Sequence, residues 1–154
     1  MAAKTGRSVS KYLTFKLEDS GQSIRTVVGV KSISGVGVTY GEMDVTALND
    51  AMVNVLNGQG DMSISVTGHL DSTADTGFHT VFSALNGLQV PLTMDIQLGI
   101  RQAWDAEPQF GISGTATSGV IVTSYVVNVD NMEATATLRV FGGTAPAWGT
   151  SAET

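Results

Sequence analysis

Apolar and polar residues alternate along much of the chain, and this pattern predicts half-buried β-strands. The clearest alternation begins at Leu13, Phe15 and Leu17, and a second run covers residues 62–70. Three later segments also indicate strands; they are residues 92–100, 120–129 and 132–140. The segment 120–129 is nearly continuous in apolar and β-branched residues, which is typical of a strand covered on both faces.

One segment has helical spacing. Its apolar residues Phe78, Val81, Phe82 and Leu85 follow an i, i+3, i+4, i+7 pattern. This pattern predicts a helix over residues 75–86 that is capped by Asp75 or Thr76 and ended by Gly87.

A weaker helical spacing runs over residues 47–56, where Thr46 is a possible N-cap and Gly58 a possible C-terminal glycine. Val53 and Val55 are poor helix formers, so a long ordered loop is the alternative. Together these patterns predict a mainly β protein, a two-sheet antiparallel β-sandwich or barrel with a flanking α-helix. The predicted domain covers residues 11–143, after a flexible arm (1–10) and before a polar tail (144–154).

The amino-acid composition excludes several kinds of site. The 154 residues contain no cysteine, which excludes disulfides and thiolate metal sites. The net charge is −6, but six of the eight basic residues and only two of the fourteen acidic residues lie within residues 1–31. That segment therefore carries +4 and the rest carries −10. This polarity argues against a broad nucleic-acid-binding face.

No catalytic signature is present, and we predict no enzyme activity and no cofactor. His69, Asp71, Asp75 and His79 could hold zinc in principle, but turn and capping roles for the two aspartates are the simpler interpretation. No apolar run is long enough for a membrane span, and the first residues lack a secretory signal, so we expect no membrane insertion.

The order of several short motifs is more informative. They read G-E-M-D-V-T-A-L-N-D at residues 41–50, G-D-M-S-I-S-V-T-G at 60–68, F-G-I-S-G at 110–114, V-T-S-Y at 122–125 and N-M-E-A-T-A-T-L-R-V at 131–140. In this order they resemble the major tail tube proteins of long-tailed, siphovirus-like bacteriophages. The resemblance covers roughly residues 11–143.

This resemblance implies a structural virion protein. In that family, six copies form a ring whose inner strands join into one β-barrel, and stacked rings form the tail tube that conducts DNA into the host. Residues 41–60 correspond to the family's inter-ring loop, or to a short helix if the spacing above holds. Implied partners are further copies of the chain, a tape-measure protein, a tail terminator, distal tail or baseplate proteins, and double-stranded DNA in transit. Assembly is expected in the host bacterial cytoplasm, with the product in the virion tail.

Two sets of residues follow as hypotheses. The alternating face of Thr93, Asp95 and Gln97 would line the lumen, because acidic and neutral groups do not retain phosphates. Contacts between subunits would involve Lys4, Arg7, Lys11, Glu42, Asp44, Asp50, Trp104 and Trp148. Opposite charges in the basic first segment and the acidic remainder would guide that contact.

Other functions fit parts of the pattern. A capsid decoration protein or a pilus-like β subunit would share the strands, and the inner tube of a contractile or secretion system would share the architecture. A carbohydrate-binding module could use Trp104 and Trp148 as stacking platforms.

Overall fold

A computed structural model describes residues 13–98 and 108–149. The strands in these ranges are β1 (Leu13–Glu18), β2 (Ile24–Thr26), β3 (Val30–Ser34), β4 (Thr39–Asp44), β5 (Val55–Asp61), β6 (Ser63–His69), β7 (Met94–Leu98), β8 (Gln109–Ile112), β9 (Gly119–Asn128), β10 (Glu133–Phe141) and β11 (Ala147–Gly149). The helix α1 (Phe78–Leu85) lies between β6 and β7.

The strands form antiparallel sheets. A five-stranded sheet has the order β11-β8-β7-β1-β2, and a four-stranded sheet has the order β3-β6-β10-β9. The strands β4 and β5 pair only with each other. The predicted fold class, a mainly β protein with two antiparallel sheets and a helix, is confirmed.

The core lies between the inner faces of the two larger sheets and α1. It contains Phe15, Leu17, Met94, Ile96 and Phe110 from the five-stranded sheet, and Ile64, Val66, Val122, Ala136 and Leu138 from the four-stranded sheet. Apart from Phe110 and Val122, these are the apolar positions of the predicted alternations, since residues i and i+2 of a strand share a face.

Helix α1 closes one side of this core with its aromatic residues. The centroid of the Phe82 ring lies 6.0 Å from that of Phe15 and 6.5 Å from that of Tyr125, so the ring packs against one strand of each larger sheet. The helix is shorter than predicted and its N-cap is Gly77, which makes no side-chain cap hydrogen bond. The predicted caps Asp75 and Thr76 are therefore wrong. Gly87 does follow the helix, with a φ of 78° that suits glycine.

Three other predictions need correction. Residues 47–56 form no helix, and the alternative of an ordered loop describes residues 47–54, while residues 55 and 56 begin the second strand of the β4–β5 hairpin. Strand β9 is buried in its first half only, and Val126 is 64% exposed. Residues 147–149, assigned above to a polar tail, form the edge strand β11, which pairs with β8.

Candidate assembly surfaces

The most exposed part of the described chain is the hairpin of β4 and β5, which we call hairpin 39–61. Every residue of β4 is exposed, and in β5 only Gly58 is partly covered. The two strands pair in the register Met43 to Leu56. Gly58 permits an irregularity in this pairing, because a Cβ there would approach the carbonyl oxygen of Gly41 to 3.2 Å.

The tip of the hairpin is organised by its own polar side chains. The backbone N–H of Thr46 donates to Asp44 (2.9 Å), and the backbone N–H of Ala47 donates to Asp50 (2.9 Å). The hydroxyl of Thr46 accepts a hydrogen bond from the backbone N–H of Asn54 (2.8 Å) across the loop. The hydroxyl and backbone N–H of Thr46 together lower the pKa of Asp44. The polar positions of the D-V-T-A-L-N-D motif thus fix the loop conformation.

Large apolar side chains project from this ordered loop into solvent. Leu48 is fully exposed, Met52 is 80% exposed and Val53 is 76% exposed. Eight of the sixteen exposed large apolar residues in the described ranges lie in this hairpin; they are Tyr40, Met43, Val45, Leu48, Met52, Val53, Val55 and Leu56. Clustered apolar exposure of this kind is typical of an interaction surface.

The hairpin is also acidic. It carries Glu42, Asp44, Asp50 and Asp61, and the sequence has no Lys or Arg between positions 31 and 101. Glu42, Asp44 and Asp50 were predicted to contact other subunits. All three are exposed on the hairpin, and two of them also hold the loop. Their contact with a neighbour stays a prediction.

The outer face of the four-stranded sheet has a different character. Cross-strand pairing places Ser34, Ser65, Thr137 and Ser124 in one row across all four strands. The adjacent row is Ser32, Thr67, Thr135 and Val126. The seven hydroxyl residues of these rows, which we call the hydroxyl face, are all exposed or half-buried. The hydroxyls of Thr67 and Thr135 lie 3.3 Å apart.

Among residues 13–98 and 108–149, the charged side chains of this face lie at its two ends, and they are paired. At one end the Nζ of Lys31 donates to Glu133 at 2.6 Å. At the other end the guanidinium of Arg139 donates to Asp61 at 2.6 Å. The hydrogen bond from Lys31 lowers the pKa of Glu133.

Two edges of the four-stranded sheet are open within the described residues. Strand β3 pairs with β6 on one side only. The first part of β9 is bridged on its outer side by residues 86–92, which leaves residues 123–128 unpaired there. The two open edges, of five and six residues, are similar in length and can extend the sheet into a neighbouring copy.

The side chains predicted to line a lumen are buried in the folded chain. Thr93, Asp95 and Gln97 are 4%, 0% and 6% exposed. The carboxylate of Asp95 accepts hydrogen bonds from the amides of Gln97 (2.7 Å) and Gln109 (2.6 Å). Asp95 and Gln97 share one face of β7, as the alternation indicated, and Thr93 lies just before the strand begins. Their lumen role stays a prediction, and it would require this face to become uncovered in a ring.

The remaining predicted residues are distributed as follows. Trp148 lies on the edge strand β11 and is 55% exposed. The centroid of its ring lies 4.9 Å from the ring centroid of Phe110. Lys4, Arg7, Lys11 and Trp104 lie outside the described residues. The hydroxyl face and the apolar tip were missed; alternating serines and threonines in residues 63–67 and 135–137 were the available signal for the former.

The histidine and aspartate residues considered for zinc have other partners. His79 Nδ1 lies 2.8 Å from the hydroxyl of Tyr125, and burial raises the pKa of that tyrosine. Asp71 accepts hydrogen bonds from the hydroxyl and backbone N–H of Thr73 (2.6 and 2.8 Å). Within residues 13–98 and 108–149, no three metal-ligating side chains form a group, and no helix is long and apolar enough to cross a membrane.

Solved structures of tail and injection particles share this fold. The chain is similar to a chain in the tail of an empty gene transfer agent particle with C6 symmetry, with a TM-score of 0.60 and 22% identity over 92% of this chain and 98% of that one. A chain in the sheath–tube complex of an extracellular contractile injection system matches with a TM-score of 0.59 and 12% identity, over 94% and 92% of the two chains. A chain in the tube-terminating cap of the anti-feeding prophage matches with a TM-score of 0.61 and 14% identity, over 98% of this chain and 96% of that one. No protein-family model and no curated protein matches the chain.

Proposed function

We propose that the chain is a structural subunit of a phage-like tail tube, in which rings of six copies stack into a conduit for double-stranded DNA. The observation that carries this proposal is the shared fold over at least nine-tenths of the chain with a component of a C6-symmetric tail. TM-scores to chains from contractile injection systems are nearly the same. The fold therefore supports a tube subunit without favouring one kind of tail.

The open edges of the four-stranded sheet supply a route to ring closure. Strands β3 and β9 run in opposite directions in the sheet order, so β9 of one copy meets β3 of the next as an antiparallel pair. Repeating this contact around a closed ring joins the sheets and leaves no open edge.

Hairpin 39–61 supplies the contact between rings. Its apolar tip is ordered by internal hydrogen bonds before any partner binds, which reduces the entropy lost on binding. Glu42, Asp44 and Asp50 of this hairpin favour a basic partner surface, and the first 31 residues of a neighbouring copy carry +4. Deleting residues 1–10, or neutralising Lys4, Arg7 and Lys11, should shorten the tubes, and the difference from wild type should shrink at high salt. Equal tube lengths at every salt concentration would contradict this charge contact.

The other partners follow from the same proposal. They are a tape-measure protein, a tail terminator and distal tail or baseplate proteins. Assembly takes place in the host bacterial cytoplasm. In support, one similar chain belongs to the sheath and tube terminator of a contractile injection system, with a TM-score of 0.58 and 13% identity.

Electron microscopy of the purified chain tests the proposal, with hollow rods or six-copy rings as the expected result. Because the chain has no cysteine, engineered pairs also report the ring contact directly. Cysteines at Ser32 or Ser34 on β3 combined with cysteines at Ser124 or Val126 on β9 should give a ladder of disulfide-linked species that ends at six copies. Within one chain these positions are three strand spacings, roughly 14 Å, apart, which is too far for a disulfide.

The matched control places one cysteine at Thr26, on the edge of the five-stranded sheet, and the other at Ser124. This pair should remain monomeric in denaturing gels. Particles without a central channel, together with no ladder from any β3–β9 pair, would refute the proposed ring.

A further inference from the structure

The outer face of the four-stranded sheet is exposed and nearly free of net charge, and this combination needs an explanation in a chain with a net charge of −6. Its centre is the hydroxyl face, made of serine and threonine side chains. Its two cationic side chains, Lys31 and Arg139, are each held at 2.6 Å by a carboxylate. Because each of these cations is matched by an anion, the part of the face that the structure describes contributes no net charge.

We propose that this face is the surface past which DNA moves, in place of the buried face of Thr93, Asp95 and Gln97, and that Glu133 and Asp61 act as charge masks on Lys31 and Arg139. The inference rests on the proposed tube function, and it identifies the DNA-facing surface and what keeps DNA from being retained there.

The physical argument starts from the phosphates. Lysine and arginine side chains that neutralise phosphates release counterions, and this release drives non-specific DNA binding. A conduit that repeats such cations in every copy would hold the duplex in place. Lys31 and Arg139 are 53% and 44% exposed at the side chain, so they are accessible to a phosphate unless a nearby carboxylate competes.

The geometry gives each mask a fixed position. The side chain of Lys31 crosses β6 to reach Glu133 on β10, so the pair lies over the face and not at its edge. Arg139 lies opposite Ser63 and reaches Asp61 at the end of β5, which ties the base of hairpin 39–61 to the same sheet. The hydroxyls between the two pairs can form hydrogen bonds with water without attracting or repelling phosphates.

The test is a double variant, Glu133→Gln with Asp61→Asn, which leaves both cations without an anionic partner. The matched control, Asp130→Asn with Asp75→Asn, changes the net charge equally, and both of its residues lie outside the rows of the face and outside hairpin 39–61. Asp75 has a φ of 66°, a conformation that asparagine adopts readily. A fourfold variant that also carries Lys31→Gln and Arg139→Gln leaves the face uncharged.

The assay measures retention of short duplex DNA over a range of salt concentrations, both by assembled tubes and by the unassembled chain. The unmasked variant should retain duplex, with a slope of log affinity against log salt of about −2 for the two cations of each copy. Wild type, the control and the fourfold variant should show little retention and a slope near zero.

Two results would overturn the inference. Wild type that holds duplex as strongly as the unmasked variant would show that the cations are not masked. An unmasked variant that binds no more than the control would show that DNA does not contact this face. Microscopy of the same samples measures tube formation separately. A wild-type chain that forms no tubes would refute the proposed function, and duplex binding by the unassembled variants would still test whether Glu133 and Asp61 shield the two cations.

Discussion

Replacing Leu48, Met52 and Val53 by serine removes the apolar tip of hairpin 39–61 and should abolish stacking of rings while leaving the domain folded. All three side chains point into solvent and contribute nothing to the core. The polar residues that hold the loop are unchanged, so the hairpin should keep its conformation. The variant therefore separates the contact between copies from the fold of one copy.

The magnitude follows from the exposed area that a neighbour would cover. Fully burying a valine, leucine or methionine side chain is worth roughly 1.5–3 kcal/mol. If stacking buries two of the three side chains, the serine variant loses about 3–6 kcal/mol per copy. That loss raises the critical concentration for tube formation by about two to four orders of magnitude. The free energy of unfolding should stay within about 0.5 kcal/mol of wild type, as for most surface substitutions.

Sedimentation against protein concentration measures the critical concentration, and urea unfolding of the unassembled chain measures stability. Val129→Ser is the matched control, because Val129 is 73% exposed but lies outside the hairpin. The control should assemble like wild type. Tubes of wild-type length and critical concentration from the triple variant would refute the role given to the hairpin tip.

Four further outcomes are expected. Phe82→Ala should lower the free energy of unfolding by about 3–5 kcal/mol in urea, because the fully buried ring joins the two sheets. Thr46→Ala removes the hydroxyl that binds across the tip, and hydrogen exchange in residues 45–54 should become faster while the core stays protected. Asp95→Leu leaves the buried amide of Gln97 without the carboxylate that accepts its hydrogen bond and should cost about 1–3 kcal/mol, read from urea unfolding. Hydrogen bonds from Thr73 lower the pKa of Asp71 below 3.8, so the ionised carboxylate stabilises the fold above that pH and this stabilisation is lost as the pH falls through the lowered pKa. Asp71→Asn should therefore weaken the dependence of the free energy of unfolding on pH in this acidic range, measured by urea unfolding at several pH values.

The strands and the helix whose buried face can be read within one continuous segment were predictable from the sequence. Alternation over Leu13, Phe15 and Leu17 identified β1, and the i, i+3, i+4 spacing identified α1, because a single buried face sets both patterns. The caps of α1 were not predictable in the same way. Gly77 occupies the N-cap because a side chain there would collide with the backbone of Asp71 and Thr73, a contact that only the folded chain reveals.

Hairpin 39–61 shows why local periodicity fails for exposed segments. Its apolar residues happen to fall at helical spacing, yet they contact no core that would fix a helical face. What decides the conformation is pairing between residues such as Met43 and Leu56, which lie on either side of the loop. Gly41 and Gly58, whose backbones approach closely in the pairing, were the local signal against a helix.

The acidic surplus of the chain and the surface that we propose to face DNA belong to different parts of the molecule. Each of the two larger sheets has a polar outer face, and alternation alone could not say which of them is open. On β7 the polar face is buried, and its carboxylate is satisfied by neighbouring amides. On β6 and β10 it is open, and its charges are paired. A neutral wall avoids both the retention caused by free cations and the repulsion caused by an acidic lining. The carboxylates of Glu42, Asp44 and Asp50 in hairpin 39–61 instead lie where opposite charges on another copy can guide assembly.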